Sequence, residues 1–298
     1  MNLNQIMLAE GVVSACRIFA RALTSAPVLK GAEMTETIPA SQLLTEMRAR
    51  APLVQCITNY VAMNIAANAL LAAGASPAMV HAPEEAGEFA AIAGALTINI
   101  GTLSTEWIAG MRAAAKAATA AGKPWVFDPV AHFATGFRRE ATQALLELKP
   151  TIIRANASEI IALAGGTGAG KGVDSGDSVE FAEQSAMLLA QQHQAVVAVT
   201  GEIDFVTDGS RSVHVHGGSS LMPRITALGC SLTCLVGAFA AVRPDAPFDA
   251  TVAALATFAV AGRDAAKLAE GPGSFQWRFL DALAALQPAA LDAAVTPA

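Results

Sequence analysis

The sequence predicts an α/β domain whose mainly parallel sheet is flanked by helices and carries an antiparallel edge. Three observations lead there. Short apolar runs recur after Pro52 as LVQCITN, PAMVHA, ALTINIGT, PWVFDPV, PTIIRAN and AVVAVTG. Between them lie segments of helical length, Val61 to Ala73, Glu85 to Ala93, Glu106 to Ala121 and Glu140 to Leu148. This alternation favours parallel pairing, because two parallel strands need a long crossover between them. The stretch VVAVTGEIDFVTDGSRSVHVHG then breaks the rhythm. Its three short strand-like runs, separated by Gly-Glu and Asp-Gly-Ser turns, read as an antiparallel edge, and the last third returns to helix.

Composition supports this reading. Of 298 residues, 53% are hydrophobic and only 5% aromatic, so alanine-rich helices packed on a sheet fit better than an aromatic-rich sandwich. Asp, Glu, Lys, Arg or Pro interrupts each apolar stretch before the roughly 18 to 20 residues that span a bilayer, so no membrane partner is expected. A net charge of -6 with no Lys/Arg run argues against nucleic acid. Cys16, Cys56, Cys230 and Cys234 have neither CxxC spacing nor disulfide-scaffold density, which suits free thiols in a cytoplasmic protein. Residues 1–33 form an N-terminal extension of unassigned role. It includes an apolar stretch, Ile6 to Ala22, but no basic lead and no clear cleavage site. Residues 34–298 are expected to form a single domain.

Ligands of open parallel sheets bind beyond the carboxyl ends of the strands. Those ends are polar here: Asn59 follows CIT, Gly101 and Thr102 follow INI, Asp128 follows VF, Arg154 and Asn156 follow II, and Thr200 follows VAV. The strongest local signal is TALGCSLTCLVGAFAAV, where a small-residue turn ending at Gly229 and Cys230 opens an apolar helix. The first N–H groups of a helix lack intrahelical partners and sit at its positive end, which makes an anion site. A thiol at that position is expected to have a lowered pKa and to orient or deprotonate a hydroxyl. A buried structural cysteine would leave the same local pattern.

RANASEI places Arg154, Asn156 and Glu159 together, a set suited to ATP with Mg²⁺: Asp128 and Glu159 as water-mediated oxygen ligands, Arg154 against phosphate. A solvated ion pair or a capping arrangement would use the same residues. GGTGAGKG matches G-x-x-x-x-G-K, but Gly172 stands where a P-loop needs Ser or Thr and the segment follows a helical run, so it reads as a flexible loop. His132, His214 and His216 lack carboxylate or cysteine partners at ligand spacing.

Taken in order, CITNYVAMNIAANALLAAGASPAM, INIGTL, FDPVA, RANASEI, VVAVTGEIDFVTDG and GCSLT resemble the hydroxyethylthiazole kinases, over roughly Pro39 to Pro288. The resemblance implies a ribokinase-like three-layer fold without a lid, assembled as a homotrimer with active sites between subunits. It implies transfer of the γ-phosphate of ATP to a thiazole alcohol for thiamin diphosphate synthesis. By position it makes Met79 and Asn59 substrate contacts, puts Arg154, Thr200 and Asn156 on ATP, assigns Asp128 and Glu159 to magnesium, and sets Cys230 with Gly229 at the reacting centre. The family's Gly-x-Gly-Cys reads Ala227-Leu228-Gly229-Cys230 here, and Ala227 stays a substrate-side position. If that residue needs a positive φ, alanine costs about 1 to 2 kcal/mol. The alternatives are a kinase of another vitamin or pyrimidine alcohol, or a non-catalytic nucleotide sensor.

Overall fold

The computed structural model describes residues 37–166 and 177–298. The chain divides into two units, Met1–Thr37 and Ile38–Ala298, and the elements below belong to the second. The expected N-terminal extension, with Cys16, and residues 167–172 of the glycine-rich segment lie outside the described residues.

The first half alternates as predicted: α1 (Ala40–Arg50), β1 (Leu53–Ile57), α2 (Met63–Ala73), β2 (Ser76–Ala78), α3 (Ala86–Ile92), β3 (Ala95–Asn99), α4 (Thr105–Ala120), β4 (Trp125–Asp128), α5 (Gly136–Leu146), β5 (Ile152–Asn156) and α6 (Ala157–Leu163). Then come α7 (Asp177–His193), β6 (Val196–Thr200), β7 (Asp204–Thr207), β8 (Ser212–Val215), three long helices, α8 (Leu228–Val242), α9 (Pro247–Ala266) and α10 (Pro272–Ala285), and β9 (Val295–Pro297). Helix α5 starts at Gly136 rather than near Glu140, because Thr135 caps it by accepting a hydrogen bond from Arg138 N at 3.2 Å. The apolar run PAMVHA yields only the three-residue β2, which ends at Ala78.

Among the described residues, nine strands form one sheet in the order β2-β1-β3-β4-β5-β6-β7-β8-β9. Pairing is parallel from β2 to β6 and antiparallel from β6 to β9. Alternating side chains of the same strands feed two separate cores. Val54, Cys56, Val126 and Ile152 join one with α1, α2, α8, α9 and α10. Ile57, Phe127, Ile153 and Trp125 join the other with α3, α4, α5 and α7. A sheet buried on both faces explains why its strands read as continuous apolar runs.

Helix α8 is buried almost all round and crosses β1, β3 and β4. Its close approach depends on Gly237, where an added Cβ would meet Thr97 Cγ2 at 2.4 Å. Arg48 of α1 staples the layer behind it. Its guanidinium donates to Ala73 O at 3.3 Å, Leu283 O at 2.8 Å and Leu286 O at 2.7 Å, carbonyls at the carboxyl ends of α2 and α10 that have no further turn to bond to. Arg48→Met keeps the aliphatic stem and strands those carbonyls. It is expected to cost about 2 kcal/mol in urea denaturation, and a loss below about 0.5 kcal/mol would remove the staple from the account.

Candidate active site

Strand order reverses between β1 and β3, with α2 on one face of the sheet and α4 on the other, and this opens a crevice at their carboxyl ends. Asn59, Asn99 and Asp128 stand along it, at or just past the ends of β1, β3 and β4. Asp128 has no solvent exposure. Its Oδ2 accepts from Asn99 Nδ2 at 2.7 Å, Thr233 Oγ1 at 2.8 Å and Arg154 Nη1 at 3.4 Å, whereas Oδ1 has no hydrogen-bond partner. Burial pushes its pKa up to about 6 against the opposing pull of Arg154, so the carboxyl is mostly ionised at neutral pH.

Arg154 reaches Asp128 from β5, the neighbouring parallel strand, and its Nη2 donates to Thr200 Oγ1 at the end of β6. The guanidinium also lies against the first turn of α8. A Cβ on Gly229 would sit 3.0 Å from Nη1 and 3.1 Å from Nη2, so that glycine makes room for the cation. Asn156 caps α6 by accepting from Glu159 N at 2.9 Å, and Glu159 Oε2 accepts from Asn156 N in return. Glu159 Oε1 accepts from Ala131 N at 2.9 Å. The capping reading of this segment is therefore real, and it coexists with the placement of both residues in the wall of a cavity.

That cavity has a volume of about 1000 Å³. Its polar lining includes Asp128, Arg154, Asn156, Glu159 and Thr200, with Gly229, Cys230 and Ala227 from the start of α8. Met222, Ile225 and Phe258 contribute apolar lining. Eight of the sequence-predicted positions thus meet in one space, and two do not line it. Asn59 is buried behind Cys230, with Nδ2 3.3 Å from Sγ. Met79 lies just past β2, half-buried against the core that contains α2 and α8.

The expected lowering of the Cys230 pKa is overturned. Burial, reinforced by the charge of Asp128, pushes the thiol up to about 11, and the Asn59 donor offsets only part of this. The group is a thiol at neutral pH. Ala227 does take the left-handed conformation, φ 60° and ψ 12°, as it caps α8. The sequence reading missed three residues. Asn99 and Thr233 hold Asp128. Asp204, half-buried in the cavity wall with its pKa pushed up to about 6 by desolvation, accepts from Gly201 N at 2.9 Å. The histidines have other partners: His214 Nε2 is 2.8 Å from Glu183 Oε1, and His216 Nε2 is 2.9 Å from Thr296 Oγ1.

Residues 44–289 match the Hydroxyethylthiazole kinase family. The chain belongs to that family. It is 73% identical over 256 residues to the hydroxyethylthiazole kinase of Rhizobium rhizogenes, covering 86% of this chain and 95% of the relative. It is 67% identical over 249 residues to the hydroxyethylthiazole kinase of Cereibacter sphaeroides, covering 84% and 94%. Among solved structures, the hydroxyethylthiazole kinase protein from Pyrococcus horikoshii OT3 aligns with a TM-score of 0.80 at 39% identity, over 87% of this chain and 98% of that one. A ribokinase-like superfamily protein from Enterococcus faecalis, with a TM-score of 0.58 and 12% identity over 85% of this chain and 95% of that one, shares the fold. This hydroxyethylthiazole kinase family member is thus a kinase on a ribokinase-like scaffold.

Two outcomes follow from the site. Ala227→Gly relieves a left-handed alanine and is expected to raise stability by about 1 kcal/mol in thermal or urea unfolding; a destabilised variant would show that the conformation carries no strain. Alkylation of Cys230 is expected to accelerate with pH toward a midpoint near about 11, and an inflection at or below the ordinary value of 9.0 would restore an activated thiolate. The neutral thiol is the favoured native form, so the stability it contributes is complete below 9.0 and declines as pH rises through that window.

Proposed function

We propose that this kinase moves the γ-phosphate of ATP onto the primary alcohol of 5-(2-hydroxyethyl)-4-methylthiazole, giving the thiazole phosphate for thiamin diphosphate synthesis. The supporting observation is the convergence of Asp128, Arg154 and Thr200 with the Gly229–Cys230 start of α8 in one cavity. The helical ladder of α8 begins with Ser231 N donating to Ala227 O at 2.9 Å, so the N–H groups of Leu228, Gly229 and Cys230 precede it. Those groups cradle the transferred phosphoryl at the positive end of the helix, while Arg154 neutralises its charge and Thr200 steadies the guanidinium.

The residues fit a magnesium nucleotide. Among the described residues no group of three or more His, Cys, Asp and Glu converges as a closed metal cage. Asp128 nonetheless offers an unpartnered buried oxygen, and Glu159 stands in the same wall. One or two carboxylates completed by water and phosphate oxygens is how Mg²⁺ is held in kinases. Held by Asp128 and Glu159, the ion would neutralise the charge of the nucleotide phosphates.

With its raised pKa, Cys230 orients the attacking hydroxyl rather than taking its proton. A loose transition state makes little demand on a base before the phosphoryl group arrives, so positioning supplies most of the rate. Met79 and Ala227 belong to the acceptor side, and Asn59 acts there through the Cys230 thiol rather than by binding substrate itself. Met79 and Asn59 lie outside the wall of the cavity, and Tyr60 and Val61, which follow Asn59, are 70% and 56% exposed, which fits a homotrimer whose neighbouring subunit completes the acceptor pocket. Free thiols at Cys56, Cys230 and Cys234 agree with a cytoplasmic location.

The test is ADP release with Mg²⁺ and ATP, comparing the thiazole alcohol, a pyrimidine alcohol and no acceptor, with product identified by mass. Thiazole-dependent phosphorylated product is expected; transfer only to the pyrimidine alcohol, or none, would overturn the substrate assignment. Arg154→Ala is expected to raise the KM for ATP at least about tenfold, and Cys230→Ser to lower kcat. Unchanged constants would remove those roles.

A further inference from the structure

Asn59 and Asn99 are both buried, and the hydrogen bonds they make leave little free for a ligand. Asn59 Oδ1 accepts from Val61 N and Ala62 N, each at 3.1 Å. Backbone N–H groups can only donate, so this oxygen is fixed toward the start of α2 and Nδ2 is fixed away from it. The two hydrogens of Nδ2 then face Asn99 Oδ1 at 2.8 Å and Cys230 Sγ at 3.3 Å. Two lone pairs and two hydrogens are thereby used, and Asn59 has no polar capacity left for substrate. The same argument fixes Asn99. Its Oδ1 accepts from Gly101 N at 2.9 Å as well as from Asn59, so its Nδ2 must face Asp128 Oδ2, at 2.7 Å.

The result is one continuous row across the crevice where strand order reverses: Cys230 Sγ, Asn59, Asn99, Asp128 Oδ2, with Thr233 Oγ1 on the far side of that oxygen. The row begins and ends on α8 and passes through the ends of β1, β3 and β4. Three donors hold Oδ2, so Oδ1 is the oxygen left for a ligand.

We propose that Asn99, acting with Asn59, is a positioning residue for phosphoryl transfer, its amide joining the carboxylate end of the site to the thiol end so that Asp128 and Cys230 hold a fixed relation. This rests on the reading of Asp128 and Cys230 as parts of the transfer machinery. Asn99 touches neither the thiol nor the cavity, so its effect on Cys230 passes through Asn59. Thr233 is the internal contrast, because its hydroxyl holds Asp128 but is no part of the link to Asn59.

The experiment compares the wild-type chain with Asn99→Leu and Thr233→Val. It measures kcat and KM for both substrates, and separately the alkylation rate of Cys230 by iodoacetamide without substrates, followed by mass on the Cys230 peptide. Asn99→Leu is expected to lower kcat at least about tenfold with KM for ATP changed less than about threefold, the pattern of lost positioning rather than lost binding. It is also expected to slow Cys230 alkylation about threefold or more, because Asn59 loses the partner that aims its donor at Sγ. Thr233→Val should lower kcat while leaving the alkylation rate unchanged. Wild-type kcat in Asn99→Leu, or lowered kcat with unchanged thiol reactivity, overturns the coupling. Asn99→Ser, which replaces the amide by a smaller polar group, carries the same two readouts if the leucine variant does not fold. Alkylation is read without substrates, so a wild-type chain that fails to phosphorylate the thiazole alcohol would overturn the functional reading alone.

Discussion

The constraint on which the site depends is an ionised carboxylate held with no exposure to water. Removing Asp128 from solvent costs several kcal/mol, and its contact with Arg154 at 3.4 Å returns about 5 kcal/mol at an effective dielectric near 20. A pKa of about 6 shows that burial has the upper hand even with the cation beside it. The surrounding choices answer that imbalance. Arg154 comes from the adjacent parallel strand, Thr200 anchors the guanidinium from the next, and Gly229 leaves α8 without a side chain where the cation must lie. Asn99 and Thr233 supply the remaining donors. Such an arrangement contributes little net stability, and its value is a single oxygen kept free in a place already stripped of water.

Cys230 shows how two true principles compete at one residue. A helix N-terminus favours a thiolate, by an amount typically below about 1 kcal/mol at an exposed site. Burial and the nearby charge of Asp128 act the other way and win, which moves the thiol to about 11. The phosphate and the thiol therefore use the start of α8 differently: the helix offers N–H groups to an anion, while the sulfur remains neutral beside them. Ala227 belongs to the same turn. Its left-handed conformation is set by the way the chain enters α8, so the alanine methyl is accepted with strain instead of changing the path.

Much of this was legible in the sequence because strand ends declare themselves. Side chains such as Asp128, Arg154 and Thr200 gather toward the carboxyl ends of strands buried on both faces, and five of the six apolar runs, closed by such residues, located the crevice. The partners that give those residues their chemistry were not legible. Thr233 lies within the apolar helix that begins at Leu228, and only the crossing of α8 over β4 brings its hydroxyl to Asp128. Asn99 sits inside the apolar run ALTINIGT, where nothing marks it until the third dimension places Asn59 and Asp128 on either side of it. The shift at Cys230 is likewise a property of depth, which adjacent residues do not encode. Strand β9 escaped because three residues including a proline carry no strand signal, yet an edge position tolerates both.

That last strand has a consequence for how the chain is made. β9 pairs with β8, and just before it Asp292 accepts from Ser41 N at 2.9 Å and Ser41 Oγ at 2.6 Å, at the opening of α1. The partners are 251 residues apart, so this tie on the first described helix cannot form until the chain has been made through Asp292. Until then the edge of β8 is unpaired and the nascent sheet is open to pairing with other chains. Successful synthesis of this fold thus depends on a late, long-range closure, and a cell that produces it slowly exposes that edge for longer.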